Sequence, residues 1–100
     1  MIFRRRRFAD TIARQLDLFE RESSELLDRI EQARTAYAST GDDPEERYSE
    51  FLDLVEIATD ELEEMRDAFA ATLDEDAAEE YTAAFERAFR KRFPLLRAGG

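Results

Sequence analysis

Two short acidic runs, Glu22-x-x-Glu25 and Glu50-x-x-Asp53, have the residue types and spacing of half-sites for a divalent cation. Residues three apart share a helix face, so each run presents two carboxylates together. A magnesium site between helices would need both pairs turned inward toward each other. The string Asp74-x-Asp76 begins like a calcium loop but lacks the central Gly and the closing bidentate Glu. The chain has no His and no Cys, which removes the Glu-x-x-His pairs of di-iron bundles, zinc-thiolate sites, the imidazole base and the thiol nucleophile. Ser23 has no base to activate it. No catalytic residue, cofactor or metal ligand is therefore expected.

The elements that would carry these acids read as helices. From Ala9 the positions Ala9, Ile12, Leu16, Phe19, Ser23, Leu26, Ile30, Ala33 and Tyr37 follow a 3,4 spacing with one polar entry, Ser23. This predicts a first helix over 9–40, ended at Gly41. Pro44 opens a second helix behind an Asp43 cap, expected over 44–72, with Tyr48, Val55, Leu62 and Phe69 at a and Phe51, Ala58, Met65 and Thr72 at d. Continuing the heptad would put Asp76 and Glu79 in the seam. A turn with Asp74 or Asp76 as N-cap and a third helix over 75–92 is expected instead, a bent continuation of the second helix being the alternative. Residues 1–8 form a basic arm and 94–100 a tail. The fold class is all-α in a single domain: a long antiparallel helical hairpin plus a shorter third helix, a three-helix bundle expected to dimerise.

Composition narrows the function. The net charge is -10, and all 25 acidic residues lie between Asp10 and Glu86 in company with six Arg. Such a surface repels nucleic acid, so no nucleic-acid partner is expected. No apolar run is long enough to span a bilayer, and Asp10, Arg14 and Asp17 follow the opening basic cluster where a leader needs an apolar stretch. A cytoplasmic location is expected. In the arm, Arg4, Arg5, Arg6 and Arg7 are candidates for contact with an anionic membrane surface, or for neutralisation by the acids at the start of the third helix. Leu18 and Ile57 fall at c positions, and Tyr37 and Tyr48 lie where a short third helix does not reach. These four are the candidate interaction surface, for a second copy or another protein.

Two resemblances bear on function. Over eight residues, Glu22-x-x-Glu25 and Glu50-x-x-Asp53 resemble the paired ExxE and ExxD segments of all-helical nucleotide pyrophosphohydrolases, which implies a magnesium-dependent nucleotide hydrolase. In this chain the runs occupy g and c, and c and f, the water-facing heptad positions. The ending Leu96-Arg97-Ala98-Gly99-Gly100 resembles ubiquitin-like modifiers, which implies conjugation through Gly100. Those modifiers usually carry a strand-rich grasp fold, from which this helical pattern departs. The leading expectation is a non-enzymatic helical interaction or scaffold protein, followed by the covalent modifier and then by the hydrolase.

Overall fold

A computed structural model describes residues 7–39, 41 and 43–99, the side chains of 97–99 excepted. The described chain is all-helical: α1 Ala9–Glu22, α2 Ser24–Ala38, α3 Pro44–Ala70, α4 Glu75–Arg92 and a closing 3-10 helix, Pro94–Gly99. It is elongated, 51 × 24 × 20 Å, with a radius of gyration of 15.7 Å. A compact domain of this length has about 13 Å. No described helix is long and apolar enough to cross a membrane.

The helix expected over 9–40 is two helices, broken at Ser23, where φ is -111° and ψ is 26°. The hydrogen-bond ladder still passes through: the Ser23 N–H donates to the Phe19 carbonyl at 2.8 Å, and the Leu27 N–H to the Ser23 carbonyl at 2.9 Å. The break is therefore a bend and not a loop. Its physical cause lies in the one polar seam residue. The Ser23 hydroxyl donates sideways to Glu61 Oε1 at 2.9 Å, an alternative to regular helix that serine accepts readily.

At the far end of α2, Gly41 has φ of 146°, a conformation that disfavours any side chain. Asp43 holds the N-cap position of α3 but makes no side-chain cap bond, contrary to expectation. Its left-handed φ of 48° departs from the extended backbone that lets an N-cap oxygen reach the first turn. The second helix stops at Ala70, short of Thr72, where the N–H groups of Thr72 and Leu73 close a tight turn on Phe69 and Ala70. Asp74 then caps α4, its Oδ1 accepting from the Ala77 N–H at 2.8 Å, so α3 and α4 are separate helices. Glu75 and Asp76 stand at the positive end of the α4 dipole, and Arg90, Lys91 and Arg92 at the negative end.

The core lies toward one end. Phe8, Ile12, Leu16 and Phe19 bury against Tyr81, Phe85 and Phe89, with Val55, Ala58 and Leu62 of α3 fully shielded. Tyr81 is the hub: its ring lies 5.5 Å from Phe8, 4.7 Å from Phe69 and 5.8 Å from Phe85, and its hydroxyl donates to Gln15 Oε1 at 2.8 Å. Phe8 meets Tyr81 while Phe19 meets Phe93, so α1 and α4 run parallel. α3 opposes α2, as Ser23–Glu61 and Tyr37–Tyr48 show. The bend at Ser23 lets α1 follow α4 while α2 follows α3. Beyond Pro94 the chain turns back, and Leu96 is buried at 3% exposure.

Candidate functional site

The four residues expected to form an interaction surface are the exposed large hydrophobics among the described residues: Leu18, Tyr37 and Tyr48 at 38% and Ile57 at 49%. They do not form one patch. Tyr37 and Tyr48 meet at the tip where α2 hands over to α3, with ring centroids 5.0 Å apart, and Tyr48 continues to Phe51 at 6.4 Å. Leu18 and Ile57 flank the Ser23–Glu61 contact from opposite sides along the axis.

The two acidic runs also stay apart. Glu22 and Glu25 lie with Ser23, Arg29 and Glu61 around a shallow depression at the bend. Glu50 and Asp53 lie eight residues or more before Glu61 on α3, at least about 12 Å along the axis. Among the described residues no three acids gather into a group able to hold a metal ion. Of the basic arm, Arg4, Arg5 and Arg6 lie outside the described residues. Arg7 has its guanidinium 5.1 Å over the Phe8 ring and 3.8 Å from Glu80 Oε1. The other Glu80 oxygen is shielded from solvent without a hydrogen-bond partner among the described residues. The terminal Gly100 also lies outside them, so the modifier expectation has no geometry here.

A feature missed from the sequence is larger than any of these. Between α3 and α4 runs a groove of about 860 Å³, floored by Leu52, Val55, Phe89 and Leu96. Asp53, Glu56, Asp60 and Glu63 form one wall, and Glu86 with Arg90 the other. At 100° per residue the four wall acids fall within about 80° of arc and about 15 Å of length. At its α4 side Arg66 joins the helices, donating through Nη1 to Glu86 Oε2 and through Nε to Asp67 Oδ1, each at 2.9 Å. Its guanidinium pKa is raised first by the bond to Asp67; burial opposes this and Glu86 adds to it, so it is a fixed cation. Acids at i, i+3, i+7 and i+10, the first of them beside Leu52, were the signal in the sequence. It is hard to see when a quarter of the chain is acidic.

Tyr81, unlike Tyr37 and Tyr48, is fully shielded from solvent. Burial pushes its hydroxyl above the ordinary value of 10.0, and the bond to Gln15 partly offsets this. It sits in the core, away from both surfaces. The described residues thus present two separate surfaces, an aromatic tip and an acidic groove. Comparison with protein-family models, with curated proteins and with solved structures finds no match to this chain.

Proposed function

We propose that this is a non-enzymatic protein-interaction module: a three-helix bundle at one end, extended by an open antiparallel hairpin through which two copies pair as a dimer. The observation that carries the reading is the Tyr37–Tyr48 ring pair, each ring 38% exposed, at the end where, among the described residues, α2 meets α3. Aromatic rings left half-wet on a two-layer end offer area at low entropic cost to a partner that completes the layer. The first turns of α3, residues 44–50, are exposed throughout. Both signs of charge stand there, Arg34 and Arg47 among Glu31, Glu45, Glu46 and Glu50. Two copies can face each other at this end without meeting a single-sign field, which a self-complementary interface requires.

The test is the solution mass by sedimentation across a concentration series, for the native chain and for Tyr37→Ser with Tyr48→Ser. A dimer that becomes monomeric in the double variant, with its helical signal unchanged, supports the reading. A native chain that stays monomeric at high concentration ends the dimer, and a dimer indifferent to both substitutions places its interface elsewhere.

A further inference from the structure

We infer that the closing 3-10 helix, Pro94–Gly99, is a strap that holds pairing through the aromatic tip in check. Seated, it covers the apolar seam that the tip continues; released, it lets a second copy pair along both. This rests on the reading of a dimer through Tyr37 and Tyr48 and adds the regulation of that surface.

Area gives the first reason. A fully buried aromatic side chain covers about 150–250 Å². Tyr37 and Tyr48 each keep 38% exposed, so together they offer roughly 110–190 Å² of ring. A stable dimer buries about 800 Å² on each partner around an apolar centre. Two rings supply a small part of such a centre, and residues 44–50 around Tyr48 are mostly charged.

More apolar surface adjoins the tip, and the strap lies on it. Along α2 the seam runs from Tyr37 through Ala33 to Ile30, and along α3 from Tyr48 through Phe51 to Val55. Two depressions reach this seam beyond the tip. One is the groove with Leu52 and Val55 in its floor; the other, of about 340 Å³, is lined by Leu27, Ile30, Phe93 and Leu95. Leu96 lines both and divides one trough into two. Phe93 meets Phe19 of α1, whereas Leu95 and Leu96 border Leu27 and Ile30 of α2. The strap thus carries the third layer past the bend at Ser23 toward the tip, and its departure would join the trough to the aromatic pair.

The hold on the strap is light. Of its described side chains, Leu96 is buried, Leu95 half-buried and Pro94 exposed. The Leu96 N–H donates to the Phe93 carbonyl at 3.0 Å, a bond local to the turn. Among the described residues no hydrogen bond or ion pair ties the strap to α2 or α3. One leucine therefore opposes the backbone freedom of a six-residue segment. Pro94 cannot extend the α4 hydrogen-bond ladder, so the strap can leave without unwinding α4. A dimer formed only from open chains is weakened by the open fraction of each partner; chains open about one third of the time lose about tenfold.

The experiment is sedimentation across a concentration series, with far-UV circular dichroism on each sample. The chains are the native one, one ended after Phe93, full-length Leu96→Asp, full-length Leu96→Met, and the shortened chain carrying Tyr37→Ser with Tyr48→Ser. The shortened chain and Leu96→Asp are expected to dimerise at least about tenfold tighter than the native chain, and Leu96→Met to match it. The tip substitutions should return the shortened chain to a monomer. A native dimer that release leaves unchanged or weakens overturns the strap and leaves the tip reading standing. Association that ignores the tip substitutions, or that runs past a dimer, overturns it too, because the bared trough is then merely adhesive. A released chain that pairs through the tip while the native chain stays monomeric supports the strap and ends only the dimer of the closed chain. Monomers throughout end both. If the shortened chain alone loses its helical signal, Leu96→Asp decides by the same criteria, with the tip substitutions placed in it; loss in both overturns the proposal, because the strap is then part of the core.

Discussion

Tyr81 and Tyr48 are the same residue type on neighbouring helices with opposite fates. Tyr81 is fully shielded among Phe8, Phe69 and Phe85, its hydroxyl held by Gln15, whereas Tyr48 shares a ring contact with Tyr37 and stays 38% exposed. What separates them is the number of helices present. Around Tyr81 three helices converge and every face of the ring finds carbon. Around Tyr48 two helices meet, and two cylinders in contact leave an open side however apolar their seam. Stability in this chain should therefore be graded along its long axis, and function should sit toward the less stable end.

The largest effect that could break this gradient is a truncation in the core. Phe85→Ala should cost about 3–5 kcal/mol in urea unfolding, while Tyr37→Ala should cost under about 1 kcal/mol. Comparable losses at the two positions would mean that the tip is as well packed as the hub. Next is the α4 cap: Asp74→Ala removes the acceptor for the Ala77 N–H and should lower stability by about 1 kcal/mol, measured the same way.

Tyr81→Phe should lose about 1 kcal/mol at neutral pH by deleting the bond to Gln15. It should also change the alkaline behaviour. The folded-state pKa of Tyr81 is raised, so its contribution is fully present below the ordinary value of 10.0 and is lost as pH rises through the folded pKa. Stability measured from pH 9 upward should accordingly fall less steeply in Tyr81→Phe than in the native chain; parallel curves would show that the hydroxyl is not buried. The smallest effect sharpens the comparison. Arg92 is shared by Asp17 and Glu20 and ties the end of α4 to α1. Arg92→Met should cost about 0.5–1 kcal/mol at low salt and less at high salt, because the pair is exposed.

Much of the helical layout was legible because one pattern carried it. A 3,4 spacing predicts helix without reference to anything distant, and α4 was announced by a cap at Asp74 or Asp76 before a long amphipathic stretch, of which the structure uses Asp74. Ser23 shows the limit. The periodicity ran straight through it, and only its contact with Glu61 on another helix reveals why the axis bends there. Leu96 teaches the same from the other side, since a residue after Pro94 with no periodic neighbours reads as tail until α3 is seen beneath it. The exposure of Tyr37 and Tyr48 could be anticipated from helix lengths alone. The groove could not, because its second wall comes from α4, whose angle and register no local pattern sets.

The bend at Ser23 also has a kinetic consequence. By sending α1 to α4, it makes the densest part of the molecule depend on contacts far apart in sequence: Gln15 with Tyr81 is separated by 66 residues and Asp17 with Arg92 by 75. The tip contact between Tyr37 and Tyr48 needs only the short turn between adjacent helices. Closing the longer loop costs roughly 1.5 kcal/mol more in chain entropy, so the α2–α3 pair is expected to assemble first and receive α1 and α4 afterwards. Conservative truncations such as Ile30→Val should then slow folding, while Phe85→Leu should mainly speed unfolding. The part of the molecule that is buried most deeply would be the last to form.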